Sequence, residues 1–226
     1  MDQVLIVDDH PLVRKGMSVS FEEAMGFEVC GEAADAEEAL KALEACEPHL
    51  LVLDISLPGM SGLELMKRTR SDYPDVQVLV VSRHDENLYA ERVLRAGARG
   101  YVMKLEASEV IVEAARTVLD GGVYLSDPIN DRLLKNLASG ADEALTESPL
   151  QALSDRELEV FELTGQGLTT SDVADRLHVS VKTVESYRAR IKDKLNLENA
   201  SELMRHAVQW VEDEGDPTTS AQGSSD

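Results

Sequence analysis

Five short apolar runs, each followed by an amphipathic stretch, fill the first 120 residues and leave few folds open. The runs are residues 4–7, 27–31, 50–53, 76–81 and 100–103, mostly valine and leucine. Continuous apolar runs of this length suit strands buried on both faces, and such burial belongs to parallel sheets. Between them lie helical stretches near residues 11–24, 36–45, 62–71, 86–96 and 108–119. Pro11 fits a first helical turn, and Gly97 and Gly121 fit helix ends. The repeat predicts an α/β fold, a doubly wound five-stranded parallel sheet with helices on both faces.

The chain changes character after residue 121. Ile129, Leu133, Leu134 and Leu137 recur at helical spacing, so a short helix is expected within a linker spanning 122–150. The polar run from Ser139 to Pro149 fits the rest of that linker. Residues 151–211 carry helix signals only and read as a second, smaller all-α domain beside the first at 1–121. Residues 212–226 are rich in Asp, Gly, Pro, Thr and Ser, and read as a disordered acidic tail.

No apolar run approaches the roughly 20 residues of a membrane span. The first residues enter a strand-like run with no basic, apolar leader before it. Cys30 and Cys46 are too few for a disulfide framework or a zinc site and read as small core residues. The expected compartment is the cytoplasm, with no membrane partner.

A net charge of −21 argues against a general nucleic-acid binder, so its distribution matters. Residues 1–120 hold 12 basic and 23 acidic side chains, and residues 151–213 hold 8 and 12. The local exception lies between Ser180 and Leu195, where Lys182, Arg188, Arg190, Lys192 and Lys194 face only Glu185 and Asp193. Local charge decides groove contact, while global charge limits non-specific affinity.

Chemistry in an open parallel sheet collects at the carboxyl ends of the strands. Strand one ends in Asp8-Asp9 and strand three in Asp54, so three carboxylates converge on one crevice. Packed together they repel, and each raises its neighbours' affinity for protons. A hard divalent cation removes the conflict, and Mg²⁺ suits a site of few carboxylates plus waters. Strand four ends in Ser82 and strand five runs into Lys104. A hydroxyl and a cation at the same sheet edge are placed to receive the oxygens of a phosphoryl group.

Residues 1–120 resemble the flavodoxin-like receiver domain of response regulators. The carrying stretches are Val4-Leu5-Ile6-Val7-Asp8-Asp9-His10, the run from Leu51 through Asp54, Ser56, Pro58 and Gly62, Val80-Val81-Ser82, and Ala96 to Lys104. The resemblance implies that Asp54 accepts phosphate from a histidine kinase. It implies that Asp8, Asp9 and Asp54 hold Mg²⁺ with the main-chain carbonyl of Ser56, and that Ser82 and Tyr101 form a switch pair beside Lys104. Leu105 departs from the family, in which proline commonly follows the lysine; a cis bond there would cost about 3–4 kcal/mol.

The competing class is an enzyme with an aspartyl nucleophile, such as a haloacid-dehalogenase-like phosphatase. Those enzymes carry a second Asp two residues after the nucleophile, where this chain has Ser56. Without a carboxylate there to activate water, an acyl phosphate persists and suits signalling. A scaffold role leaves the carboxylates unexplained.

In the second domain, Ser154 and Glu157 have capping-box spacing before a helix that stops near Gly165. A short helix follows at 170–177, then Ser180 caps a third. Val184, Ile191 and Leu195 are expected on its buried face, with Glu185, Arg188, Ala189 and Lys192 facing solvent. A short helix, a tight turn and a basic amphipathic helix make the helix-turn-helix pattern. Residues 153–211 resemble the LuxR-type helix-turn-helix of NarL/FixJ-class regulators, through Leu153-Ser154-Asp155-Arg156-Glu157, Gly165 to Thr170, Val173-Ala174 and Val179 to Arg188. By this resemblance Lys182 to Lys194 is the recognition helix. Lys182, Thr183, Arg188 and Lys192 are expected on phosphates, and Glu185, Ser186 and Ala189 at base edges, with Arg188 reading guanine as the alternative. Tyr187 stands where many relatives carry histidine. The last helix, 201–211, resembles the family's dimer contact. The expected partners are thus a sensor histidine kinase, double-stranded DNA and, when phosphorylated, a second copy of the chain.

Overall fold

The computed structural model describes residues 1–106, 108–138 and 149–215, and the chain divides into two compact units, Met1–Glu143 and Ala144–Asp226. In the first, strands β1 (Asp2–Val7), β2 (Phe27–Ala33), β3 (Leu50–Leu53), β4 (Gln77–Ser82) and β5 (Gly100–Met103) form one parallel sheet in the order β2-β1-β3-β4-β5. They alternate with α1 (Pro11–Glu23), α2 (Ala36–Cys46), α3 (Gly62–Asp72), α4 (Glu86–Ala96) and α5 (Ser108–Leu119). The expected doubly wound fold is present. Strand side chains alternate between faces. Val4, Ile6, Val52 and Val81 pack with Phe21 of α1 and Val118 of α5, while Leu5, Val7, Leu51 and Leu53 are buried toward the other face. Burial on both sides is why these strands read as unbroken apolar runs.

The strand order turns back between β1 and β3, so the loops leaving these two neighbours diverge and open a crevice at their carboxyl ends. α3 begins tight against that crevice. A Cβ on Gly62 would lie 2.3 Å from the Asp54 carbonyl oxygen, so only glycine admits this approach. The Lys104–Leu105 peptide is trans.

Residues 122–135 are more than a linker. The expected helix is present as α6 (Asp127–Ala138), but it is docked on the first unit. Tyr124 bridges Gly100 at the β5 edge, and the Tyr101 amide donates to the Tyr124 carbonyl at 2.9 Å. Arg132 donates to the Asn87 side chain at 2.9 Å and to its carbonyl at 3.0 Å. Ile129 is buried, whereas Leu134, expected with it, is 63% exposed. The side chain of Leu137 and the polar stretch 139–148 lie outside the described residues.

The second unit holds a 3₁₀ turn (Pro149–Ala152), α7 (Asp155–Gly165), α8 (Thr170–Arg176), α9 (Val181–Leu195) and α10 (Ala200–Gly215). Its helix starts follow from local chemistry. Ser154 and Glu157 form the expected capping box, Thr169 and Asp172 form another, and Ser180 caps α9. α7 and α10 touch at Gly165, where a Cβ would come within 2.2 Å of the Ala207 carbonyl oxygen. α10 outruns the expected end at 211, since Glu212 to Gly215 continue the helix instead of opening a disordered tail. Extending a formed helix requires no new nucleus, and residues 212–214 include no helix breaker. The remaining tail, 216–226, lies outside the described residues.

Candidate functional site

Strand ends deliver the predicted carboxylates to one place. Asp8 and Asp54 are 0% and 2% exposed, and Asp8, Asp9, His10 and Asp54 each offer a ligand atom within 4.8 Å of the others. The Asp54 amide donates to the Val7 carbonyl at 2.8 Å, which continues the β1–β3 pairing one residue past the strand. Lys104 reaches over from the end of β5, its Nζ 2.7 Å from Asp8 Oδ2 and 2.7 Å from Asp54 Oδ2. Arg14, in the first turns of α1, donates to the Asp8 carbonyl and lies 3.3 Å from Glu32.

Ser82 and Tyr101 sit beside this group and are linked through one residue. The buried Tyr101 ring points inward and its hydroxyl donates to the His84 carbonyl at 2.7 Å. The His84 amide donates to Ser82 Oγ at 3.3 Å. The His84 imidazole stacks on Tyr89 and its Nε2 lies 2.6 Å from Ser56 Oγ. Ser56 in turn donates its amide to Asp54 Oδ1 at 3.2 Å. His84 was not singled out from the sequence. Its only signal is its place two residues beyond Ser82 in a loop leaving a strand's carboxyl end. The contacts of His10 with Asp9 and of Arg14 with the Asp8 carbonyl are not legible in the sequence, because a loop and a helix turn carry no pattern that aims a side chain.

The donor set fits a hard divalent cation. Three carboxylates gather there with Lys104 and His10 beside them, and two of the acids, Asp8 and Asp54, are buried. A few carboxylate oxygens within reach of one another match Mg²⁺ chemistry.

In the second unit the burial of α9 sorts its cations. Lys182, Glu185, Ser186, Ala189 and Arg190 are exposed, while Thr183 and Lys192 are half-buried. Arg188, expected on the solvent face, is turned inward. It donates to Thr170 Oγ1 at 2.6 Å and to Thr164 Oγ1 at 3.1 Å, and burial lowers its pKa. The spacing held the signal, because position 188 lies four after Val184 and three before Ile191, both fully buried. Lys194 is committed too, to Glu157 at 2.7 Å and to the Ala152 carbonyl at 3.0 Å.

Glu157 is 3% exposed. Burial raises its carboxyl, but the Lys194 ammonium and the amide and hydroxyl of Ser154 outweigh that and hold it below the usual carboxylate range. Such a group stabilises the fold above its unfolded pKa, about 4.3, and the contribution is lost as pH falls through the lower folded value. Acid titration, followed by fluorescence of the single tryptophan, Trp210, 5.9 Å from Phe161, is expected to show the second unit weakening below about pH 4. Glu157→Gln is expected to lower stability at neutral pH and to flatten that acid limb.

Residues 4–116 match the response regulator receiver domain, and residues 151–207 match the bacterial regulatory proteins of the luxR family. The oxygen regulatory protein NreC of Staphylococcus carnosus (strain TM300) is 35% identical over 209 residues, spanning 91% of this chain and 96% of that protein. The response regulator UvrY of Escherichia coli O157:H7 is 36% identical over 208 residues, spanning 92% and 94%. The chain is a response regulator of the NarL/FixJ class. A solved structure of the Salmonella typhimurium RcsB response regulator superposes on it with a TM-score of 0.69 at 26% identity, covering 92% of this chain and 97% of that one. RcsB bound to promoter rprA in the presence of the phosphomimetic BeF₃⁻ gives 0.65 at the same identity, covering 92% and 99%. This response regulator is a transcription regulator with a receiver and a LuxR-type helix-turn-helix, not an enzyme. Among its described residues no helix is long and apolar enough to cross a membrane.

Proposed function

We propose that Asp54 accepts a phosphoryl group from a sensor histidine kinase in the cytoplasm, and that this modification controls promoter binding by α9. The observation that carries the reading is Lys104, which joins Asp8 to Asp54 at 2.7 Å on each side. An Asp54 oxygen attacks phosphorus while the P–N bond to the donor histidine breaks. Lys104 then stands where negative charge arrives on the transferred oxygens. Asp8, Asp9 and Asp54, with the main-chain carbonyl of Ser56, would hold Mg²⁺, which when bound supplies charge neutralisation between acceptor and phosphate. Ser56 adds no carboxylate to activate water, so the acyl phosphate persists. Ser82 turns its hydroxyl to the phosphate, and the inward Tyr101 ring registers that movement through His84.

On DNA, α9 lies in the major groove. Lys182, Thr183 and Lys192 contact phosphates, Arg190 takes the outer place first expected of Arg188, and Glu185, Ser186 and Ala189 face base edges. With 8 basic and 12 acidic side chains over residues 151–213, one copy binds non-specific DNA weakly. Useful affinity then comes from a phosphorylation-favoured homodimer on two half-sites. Phosphorylation is expected to raise operator affinity by about 5–150-fold, the usual size of coupling between two sites. Titrations of one operator with phosphorylated and unphosphorylated protein at a single salt concentration check this, and equal affinities would overturn it.

A further inference from the structure

Away from the crevice, two local irregularities bring the only cysteines together. β2 pairs with β1 as far as Val4 with Val29 and resumes at Leu5 with Gly31, so Cys30 is the extra residue of a β-bulge. A bulge re-aims the side chain that it carries. Cys46 is the last residue of α2, just before Glu47 turns the chain with φ at 45°. Both are free thiols and half-buried, with their Sγ atoms 2.6 Å apart. A covalent S–S bond is only about half an ångström shorter. The expectation of two separate small core residues accounts for neither the bulge nor the pairing.

We propose that Cys30 and Cys46 form a dithiol that closes reversibly to an intramolecular disulfide, with a low-molecular-weight disulfide as oxidant. Burial, and then the hydrogen bond with Cys46, push the Cys30 thiol up to about 12. One cysteine of the pair, as its thiolate, attacks one sulfur of the small disulfide, forms a mixed disulfide and releases one small thiolate. The other loses its proton to water and attacks the protein-side sulfur of that mixed disulfide, and the second small thiolate leaves. Two protein thiols are oxidised and one small disulfide is reduced to two thiols. In a thiol-buffered compartment the pair rests reduced and closes when the disulfide fraction rises. The closed bond ties β2, an edge strand, to the end of α2 across 16 positions.

The test uses the full chain incubated with oxidised glutathione. Both thiols are expected to vanish together, the protein to stay monomeric on a non-reducing gel, and no glutathione to remain attached by intact mass. The first unit is expected to melt about 5–10 °C higher, and dithiothreitol is expected to reverse each change. Cys30→Ser and Cys46→Ser are each expected to lose the thermal gain and to keep a glutathione adduct on the remaining thiol. A lasting adduct on the wild type, a covalent dimer, or persistence of both thiols would overturn the proposal. Reversal in the wild type needs neither variant to fold.

Discussion

Asp54→Asn is expected to abolish labelling by a small phosphodonor such as acetyl phosphate while the receiver stays folded. Asparagine keeps the shape of the side chain and an oxygen for the Ser56 amide, which donates to Asp54 Oδ1 at 3.2 Å. It removes the carboxylate, and an amide oxygen does not form the acyl phosphate. Lys104 retains Asp8 at 2.7 Å, so the ammonium is not stranded. One of three crowded negative charges also disappears, which relieves repulsion. Net stability should therefore stay within about 1 kcal/mol of wild type. Intact mass after incubation with the phosphodonor, with a thermal melt of the same sample, reads both halves. Continued uptake of phosphate by the variant would place the acceptor elsewhere.

Arg188→Ala is expected to destabilise the second unit by about 2–3 kcal/mol. The guanidinium joins α9 to Thr164 of α7 and to Thr170 at the start of α8. Its removal takes a donor from each hydroxyl, and Thr164, 2% exposed, keeps only its own donation to the Val160 carbonyl. Part of the loss is offset, since burial already disfavours the charge on Arg188. Urea unfolding read by Trp210 fluorescence measures the effect. Lys182→Ala provides the contrast, because loss of an exposed lysine proposed to contact phosphate is expected to leave the urea midpoint alone and lower the slope of log affinity against log salt by about one. If Arg188→Ala instead kept the midpoint and lowered the salt slope, the inward arginine would be a DNA contact after all.

The outcome at Arg188 shows where pattern reasoning weakens. Apolar residues at helical spacing favour the buried face, because burial removes them from water; Val184 and Ile191 are fully buried as expected. A long cation on the same face satisfies itself with hydroxyls and carbonyls that come from other helices, and its charge suggests solvent until those partners are known. Lys194 follows the same logic through Glu157 and Ala152. The local net charge of the α9 segment therefore overstates what it presents to DNA.

Asp54 stands on the legible side. Its strand, its place at the strand's end and its company with Asp8 and Asp9 all follow from chain order, because short-range apolar periodicity sets the strands and a parallel sheet gathers their carboxyl ends. The same holds for the capped helix starts at Ser154 and Ser180, whose partners lie three residues away. Contacts between distant segments needed the tertiary structure. The inward turn of Arg188, the link from His84 to Ser56, the docking of α6 on α4 and the meeting of Cys30 with Cys46 depend on bulges, loop paths and side-chain directions. Those are settled by packing the whole unit at once, so no local stretch of sequence carries them.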